Sequence, residues 1–130
     1  MATIKSFTDL SQSKKLAEIL PLESADMLWE QHGTEPYVTV KPWTTRGKSI
    51  GCHCFSCWSL AALYGILPNN KKESTTLSRG GWNIESIEYI DNWWCEYEDE
   101  SHTKDFAVSA DNPVDACYEV IIKLYELKIL

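Results

Sequence analysis

Trp93-Trp94-Cys95-Glu96-Tyr97-Glu98 changes character at every step, and that alternation decides the fold. Successive side chains of an extended strand point to opposite faces. Trp93, Cys95 and Tyr97 therefore form one apolar face directed at a core, while Trp94, Glu96 and Glu98 share the other. Working outward, the same period of two runs through Thr75-Thr76-Leu77-Ser78, Ile84 to Ile90 and Asp105 to Ala110, the signature of a β-meander. An earlier hairpin is predicted from Met27-Leu28-Trp29-Glu30 and Tyr37-Val38-Thr39-Val40, with His32-Gly33-Thr34-Glu35-Pro36 as the turn.

Helices bracket these strands. Thr8 is the predicted N-cap of a helix from about Asp9 to Leu20, stopped by Pro21, with Leu10, Leu16, Ala17, Ile19 and Leu20 as its inward stripe. Ser56 is predicted to cap a second, largely apolar helix from Cys57 to Leu67, closed by Pro68-Asn69-Asn70. The last helix carries the clearest signals. Asn112 can cap, Pro113 has the φ suited to the first helical position, and Asp115 places a carboxylate in the first turn. From Pro113 to about Lys128, Asp115, Glu119, Lys123 and Glu126 fall on one narrow arc and leave a wide apolar sector. The predicted class is α+β: an antiparallel sheet of about four to six strands, hairpin plus meander, with three helices. Helices on one face or on both, the latter an αβα sandwich, remain open at this point.

The 130 residues fit one domain, 1–130, large enough to bury roughly two-thirds of the unfolded surface. Five cysteines, an odd number, and an N-terminus without the charged start and apolar core of a signal peptide lead to the expectation of free thiols in a cytoplasmic protein. No stretch has the length expected of a membrane span. A net charge of −7 argues against a direct nucleic-acid binder, which needs basic groups to neutralise phosphates. The excess is concentrated in residues 85–111, where nine acids face Lys104 alone. Such a run is either a solvated sheet face or a surface for a basic partner.

Cys52-His53-Cys54-Phe55-Ser56-Cys57-Trp58 offers two further chemistries. Cys54-x-x-Cys57, with Cys52 or His53 added, has the spacing of a zinc knuckle, although a second knuckle is missing and Cys95 and His102 stand alone. A thiol at a helix start is also shifted toward thiolate, which would suit Cys57 as a nucleophile with His102 or His53 as base. Cys54-Phe55-Ser56-Cys57-Trp58 resembles the active-site signature of papain-like peptidases, but Phe55 replaces its glycine and Gly51 stands where that family has its oxyanion-hole glutamine. The chain is also too short for the two-lobed peptidase fold. The third candidate is the pair Glu96 and Glu98 beside Trp94, a combination shared by sugar-binding surfaces and by glycosidases, whose carboxyls lie about 5–10 Å apart. If that face binds a partner, Trp94 is its anchor.

Three blocks, Ser13 to Met27, Cys57-Trp-Ser-Leu-Ala-Ala-Leu63, and Asp111-Asn-Pro-Val-Asp-Ala-Cys117 with Ile121-Ile-Lys-Leu124, resemble a group of small uncharacterised proteins of phages and prophages of gut Bacteroidales. More loosely, the order of elements is similar to small phage domains described as αβα sandwiches. In the resembling chains the shared block begins at Cys57, so Cys52, His53 and Cys54 belong to a variable approach. The resemblance implies an accessory protein without assigned activity. The expectation is a non-enzymatic domain that binds a protein partner, host or phage, through Trp94, Glu96 and Glu98, with no cofactor. The alternatives are a small zinc module at Cys52, Cys54 and Cys57, or a thiol hydrolase using Cys57.

Overall fold

The computed structural model describes residues 5–32, 39–42, 52–83 and 85–130, with side chains outside 31–32, 39–42, 52–54, 82–83 and 89–90. The predicted turn at 33–36, Tyr37, Val38, the loop through 51 and Ile84 lie outside this set. Among the described residues, three α-helices and six antiparallel strands give a mixed α+β fold. The strands form two sheets of three, and the chain divides into two compact units, Ser6–Leu63 and Tyr64–Leu130 with Lys5.

The first unit begins with α1 (Leu10–Ile19). Its N-cap is Asp9, one residue later than predicted, because Asp9 and Gln12 close a reciprocal capping box: Asp9 Oδ1 accepts from Gln12 N at 2.8 Å and Gln12 Oε1 from Asp9 N at 3.1 Å. Thr8 is thereby free for another use and is fully buried. Ser13 and Leu16 are the buried positions of α1, whereas Ala17 is exposed. Leu20 is extended ahead of Pro21, as the proline ring requires. After a short 3-10 turn (Leu22–Ser24), β1 (Met27–His32) pairs on one side with β2 (Thr39–Pro42) and on the other with β3 (Cys52–Cys57), giving the order β2-β1-β3.

Strand β3 replaces the predicted start of the second helix. Residues 52–57 pair continuously with β1, from His32↔Cys52 to Met27↔Cys57. Helix α2 (Leu60–Ile66) starts three residues later than predicted and is capped by Ser59 rather than Ser56: Ala62 N donates to Ser59 Oγ at 3.2 Å. Asp26 fixes that cap, its carboxylate accepting from Ser59 N at 2.9 Å and from Ser59 Oγ.

The second unit is the meander. Pro68, Asn69 and Asn70 stop α2 as predicted, and Asn70 Oδ1 accepts from Lys72 N and Glu73 N to launch the next strand. Strands β4 (Glu73–Asn83), β5 (Glu88–Asp99) and β6 (Phe106–Ala110) pair in sequence order. Of the run predicted from Ile84 to Ile90, only Glu88 to Ile90 is strand, and it continues through Trp93 to Glu98 as β5. Asn83 opposes Glu88, and Glu85, Ser86 and Ile87 form a turn instead of extending the strand, with Ile87 at φ 53° and its side chain exposed. Register shifts between Arg79 and Gly81, where Gly80 adopts φ 76°, a conformation that favours glycine.

Helix α3 (Pro113–Glu126) packs on β5 and β6 and matches its prediction closely. Asn112 Oδ1 accepts from Asp115 N at 2.8 Å, and Lys5 Nζ reaches Asp115 Oδ1 at 2.7 Å. Val114, Ala116, Cys117, Val120, Ile121 and Leu124 are buried, while Glu119, Lys123 and Glu126 are exposed. The helix ends two residues early, with Lys128 at φ 62° and the amides of Leu127, Lys128 and Ile129 folded back on its last carbonyls.

Candidate functional site

Strand β5 builds the site by alternation. Cys95 and Tyr97 are buried on the side covered by α3, and Glu96 and Glu98 are exposed on the other side, where Trp94 is half-buried. Trp93, expected in the core, is only partly covered, and the Arg79 guanidinium lies 5.8 Å from its ring while also pairing with Asp91 at 3.1 Å.

Cross-strand register completes the open face. On β4, Ser78 opposes Trp94, Thr76 opposes Glu96 and Ser74 opposes Glu98; on β6, Ser109 opposes Trp94 and Ala107 opposes Glu96. All five partners are exposed. They are small, so the indole and the two carboxylates stand above a floor of hydroxyls and a methyl group. Gly81 contributes space: a Cβ placed there would meet Trp94 Nε1 at 4.0 Å. Among the described residues the indole N–H meets no acceptor and neither glutamate forms an ion pair. A flat face with a polar-tipped aromatic at its centre and two unneutralised acids suits a partner supplying apolar surface plus positive charge. The sequence alone put Trp94, Glu96 and Glu98 on one face of a strand but did not show Ser74, Thr76, Ser78, Ala107 and Ser109 beside them. The period-two runs that contain them were visible; the register that brings them beside β5 was not.

The β5–β6 loop is organised around Asp99. Its Oδ1 accepts from Thr103 N at 3.0 Å and Lys104 N at 3.5 Å, and its Oδ2 from Ser101 Oγ at 3.1 Å and Thr103 Oγ1 at 3.3 Å. Desolvation pulls the Asp99 carboxyl up, but these hydrogen bonds together overrule it and hold it below the usual carboxylate range. Asp99 N donates to Asp105 Oδ1 at 3.0 Å, and Asp105 Oδ2 lies 2.8 Å from His102 Nδ1, which raises the histidine pKa. Beside this loop is an open cavity of about 670 Å³, with Lys72, Lys104 and Glu100 among its lining residues and Tyr97 exposed to it only at its edge. Burial, with the hydrogen bond from Tyr97 Oη to Glu73 Oε1 at 2.9 Å, pushes the phenol up to about 12. Several acids of the 85–111 run are thus committed internally, Asp99 and Asp105 to the loop and Asp91 to Arg79. Glu96 and Glu98 are directed to solvent.

No protein-family model, curated protein or solved structure matches this chain.

The cysteine cluster is structural where it is described. A Cys-x-x-Cys knuckle needs a reverse turn between its ligands, whereas residues 52–57 run as one strand; the side chains of Cys52, His53 and Cys54 lie outside the described set. Among the described residues no group of three or more His, Cys, Asp or Glu side chains is arranged to hold a metal ion. Cys57 is fully buried at the end of β3 and is not itself in the first turn of a helix, since α2 begins at Leu60. Its Sγ donates to the Thr8 carbonyl at 3.5 Å and lies 3.7 Å from Thr8 Oγ1. Burial pushes this thiol up, against the lowering effect of its hydroxyl neighbours Thr8 and Ser13. That is the reverse of the shift a nucleophile needs. His102, one of the two candidate bases, belongs to the other unit.

Proposed function

We propose that this chain is a non-enzymatic accessory protein of phage or prophage type, and that it binds a protein partner of basic surface through the open face of the β4-β5-β6 sheet. The observation that supports the reading best is the juxtaposition on that face of a half-buried Trp94 with the two exposed carboxylates Glu96 and Glu98. Behind them a helix-backed core holds β5 in place, so the face is presented ready-formed. The phage assignment rests on the resemblance of the three sequence blocks. No helix among the described residues is long and apolar enough to cross a membrane.

Affinity capture from a Bacteroidales lysate at moderate salt, comparing the native chain with a Trp94→Ala/Glu96→Gln/Glu98→Gln variant, tests the proposal. A protein retained by the native chain and lost from the variant is the expected result. Equal retention by both, or nothing retained by either, refutes it.

A further inference from the structure

Strand β4 is an edge of its sheet, and alternation fixes which of its backbone groups face outward. The Glu73 carbonyl accepts from Asn70 N at 2.8 Å, and Glu73 N donates to Asn70 Oδ1 at 3.0 Å. Thr75 N donates to Asn69 Oδ1 at 3.2 Å, and the Thr75 carbonyl accepts from Tyr64 Oη at 3.5 Å. The main chain of both residues is therefore turned away from β5. Register runs unbroken from Glu73↔Asp99 to Arg79↔Trp93, so the N–H and C=O groups of Leu77 and Arg79 point the same way. Among the described residues no hydrogen bond reaches them. Thr76, Ser78 and Arg79 are exposed, which leaves this stretch accessible to another chain. Taking the open face as the partner-binding surface, we propose that the β4 edge at Leu77 and Arg79 is a strand-addition site, and that its occupant is an extended segment of the partner carrying a basic side chain over the open face.

A strand edge with unpaired amides and carbonyls is a template for another strand: main-chain bonds supply affinity and alternate side chains supply specificity. Side chains of the added segment that face Thr76 and Ser78 stand on the open face. Across β4 from them, two strand spacings or about 10 Å from the added backbone, are Glu96 and Trp94. Thr76 and Ser78 are small, so a lysine or arginine facing Thr76 can cross β4 to the Glu96 carboxylate, and an apolar side chain facing Ser78 meets the Trp94 ring. An acidic segment would be repelled there. The fold also sets the length of the site. The turn at Asn69 and Asn70 closes the edge at Thr75, and the register shifts after Arg79, where Gly80 has φ 76°. The opposite edge, β6, suits a basic segment less: exposed Lys104 precedes it, and Lys123 Nζ lies 4.7 Å from the ring of its first residue, Phe106. On β4 the cation Arg79 is paired with Asp91 at 3.1 Å.

The probe is the acetylated, amidated peptide Thr-Val-Thr-Arg-Thr, which laid antiparallel to β4 puts its valine opposite Ser78 and its arginine opposite Thr76. Amide hydrogen exchange is followed by NMR on the isotope-labelled full chain. In the free chain the amides of Leu77 and Arg79 should exchange fast, and those of Thr76 and Ser78, bonded to β5, slowly. Adding the peptide should slow Leu77 and Arg79 and shift the Trp94 indole N–H resonance. N-methylation of the peptide's first and central threonines, whose amides meet the Arg79 and Leu77 carbonyls, should weaken binding about tenfold or more. N-methylation of its arginine, whose amide points away, should weaken it far less, and glutamate in place of that arginine should abolish binding. Slow exchange of Leu77 and Arg79 in the free chain, or no change on adding the peptide at millimolar concentration, overturns the proposal. A shift at Trp94 with exchange at the edge unaltered overturns strand addition alone and leaves the open-face reading standing. Equal protection of the edge in a Trp94→Ala/Glu96→Gln variant refutes the open-face reading instead, and the basic occupant with it.

Discussion

Replacing Thr8 by valine tests the network that holds Cys57 and Trp58, because it removes one hydroxyl while nearly conserving shape. Thr8 Oγ1 accepts from the Trp58 amide at 3.2 Å and shares a hydrogen bond with Ser13 Oγ at 2.8 Å, and every group involved is buried. A buried donor stripped of its partner costs about 1–3 kcal/mol. The Trp58 amide has no alternative and carries that cost in full. Ser13 lies in a helix, and its hydroxyl can turn to the carbonyl four residues earlier, so its share falls at the low end. Cys57 keeps its bond to the Thr8 carbonyl. The expected loss is therefore about 2–4 kcal/mol, read as a lower urea midpoint at unchanged slope by circular dichroism. Thr8→Ser keeps the hydroxyl, sheds one methyl group and should lose about 1 kcal/mol. A valine variant within about 0.5 kcal/mol of the native chain, or a serine variant as damaged as the valine one, would refute the assignment of Thr8 as the polar hub.

Three further outcomes follow from the same geometry. Asp9→Ala and Asn112→Ala each remove an N-cap acceptor and should each cost about 1 kcal/mol of unfolding free energy in urea titrations. In a proton NMR titration His102 should ionise above its ordinary value of 6.5, and Asp105→Asn should return it toward that value; since the pKa is raised on folding, the stabilisation is complete below 6.5 and lost as pH rises through the folded value. In the native state Cys57 should resist a thiol label at pH 8 and react only at the rate of unfolding, whereas rapid labelling would restore the nucleophile reading.

What could be read from the sequence was whatever is fixed by near neighbours. The alternation at Trp93 to Glu98 sorted β5 into covered and open faces, because a period of two is a property of the strand itself. Asn112-Pro113-x-Asp115 located the start of α3, since all its capping partners lie within four residues. The approach to α2 went the other way. Cys57 to Leu67 reads as one apolar helix until residues 52–57 are claimed by β1, about 25 residues earlier in the chain, and Asp26 anchors Ser59. Both interactions are long-range, and no local pattern announces them. The division of the strands into two sheets depends on the same non-local pairing. So does the floor of Ser74, Thr76, Ser78, Ala107 and Ser109 around Trp94, which only the register of β4 and β6 could reveal.

The Asp99-centred loop sets that register for β6. Four hydrogen bonds to one carboxylate and a fifth from its amide to Asp105 count out the residues between β5 and β6, so the strand returns with Phe106 opposite Tyr97. A loop one residue shorter or longer would slip β6 by one position, turning Phe106 and Val108 outward and Ala107 and Ser109 toward the helix. The loop works as a ruler, and its length determines which side of the sheet is greasy and which can be touched.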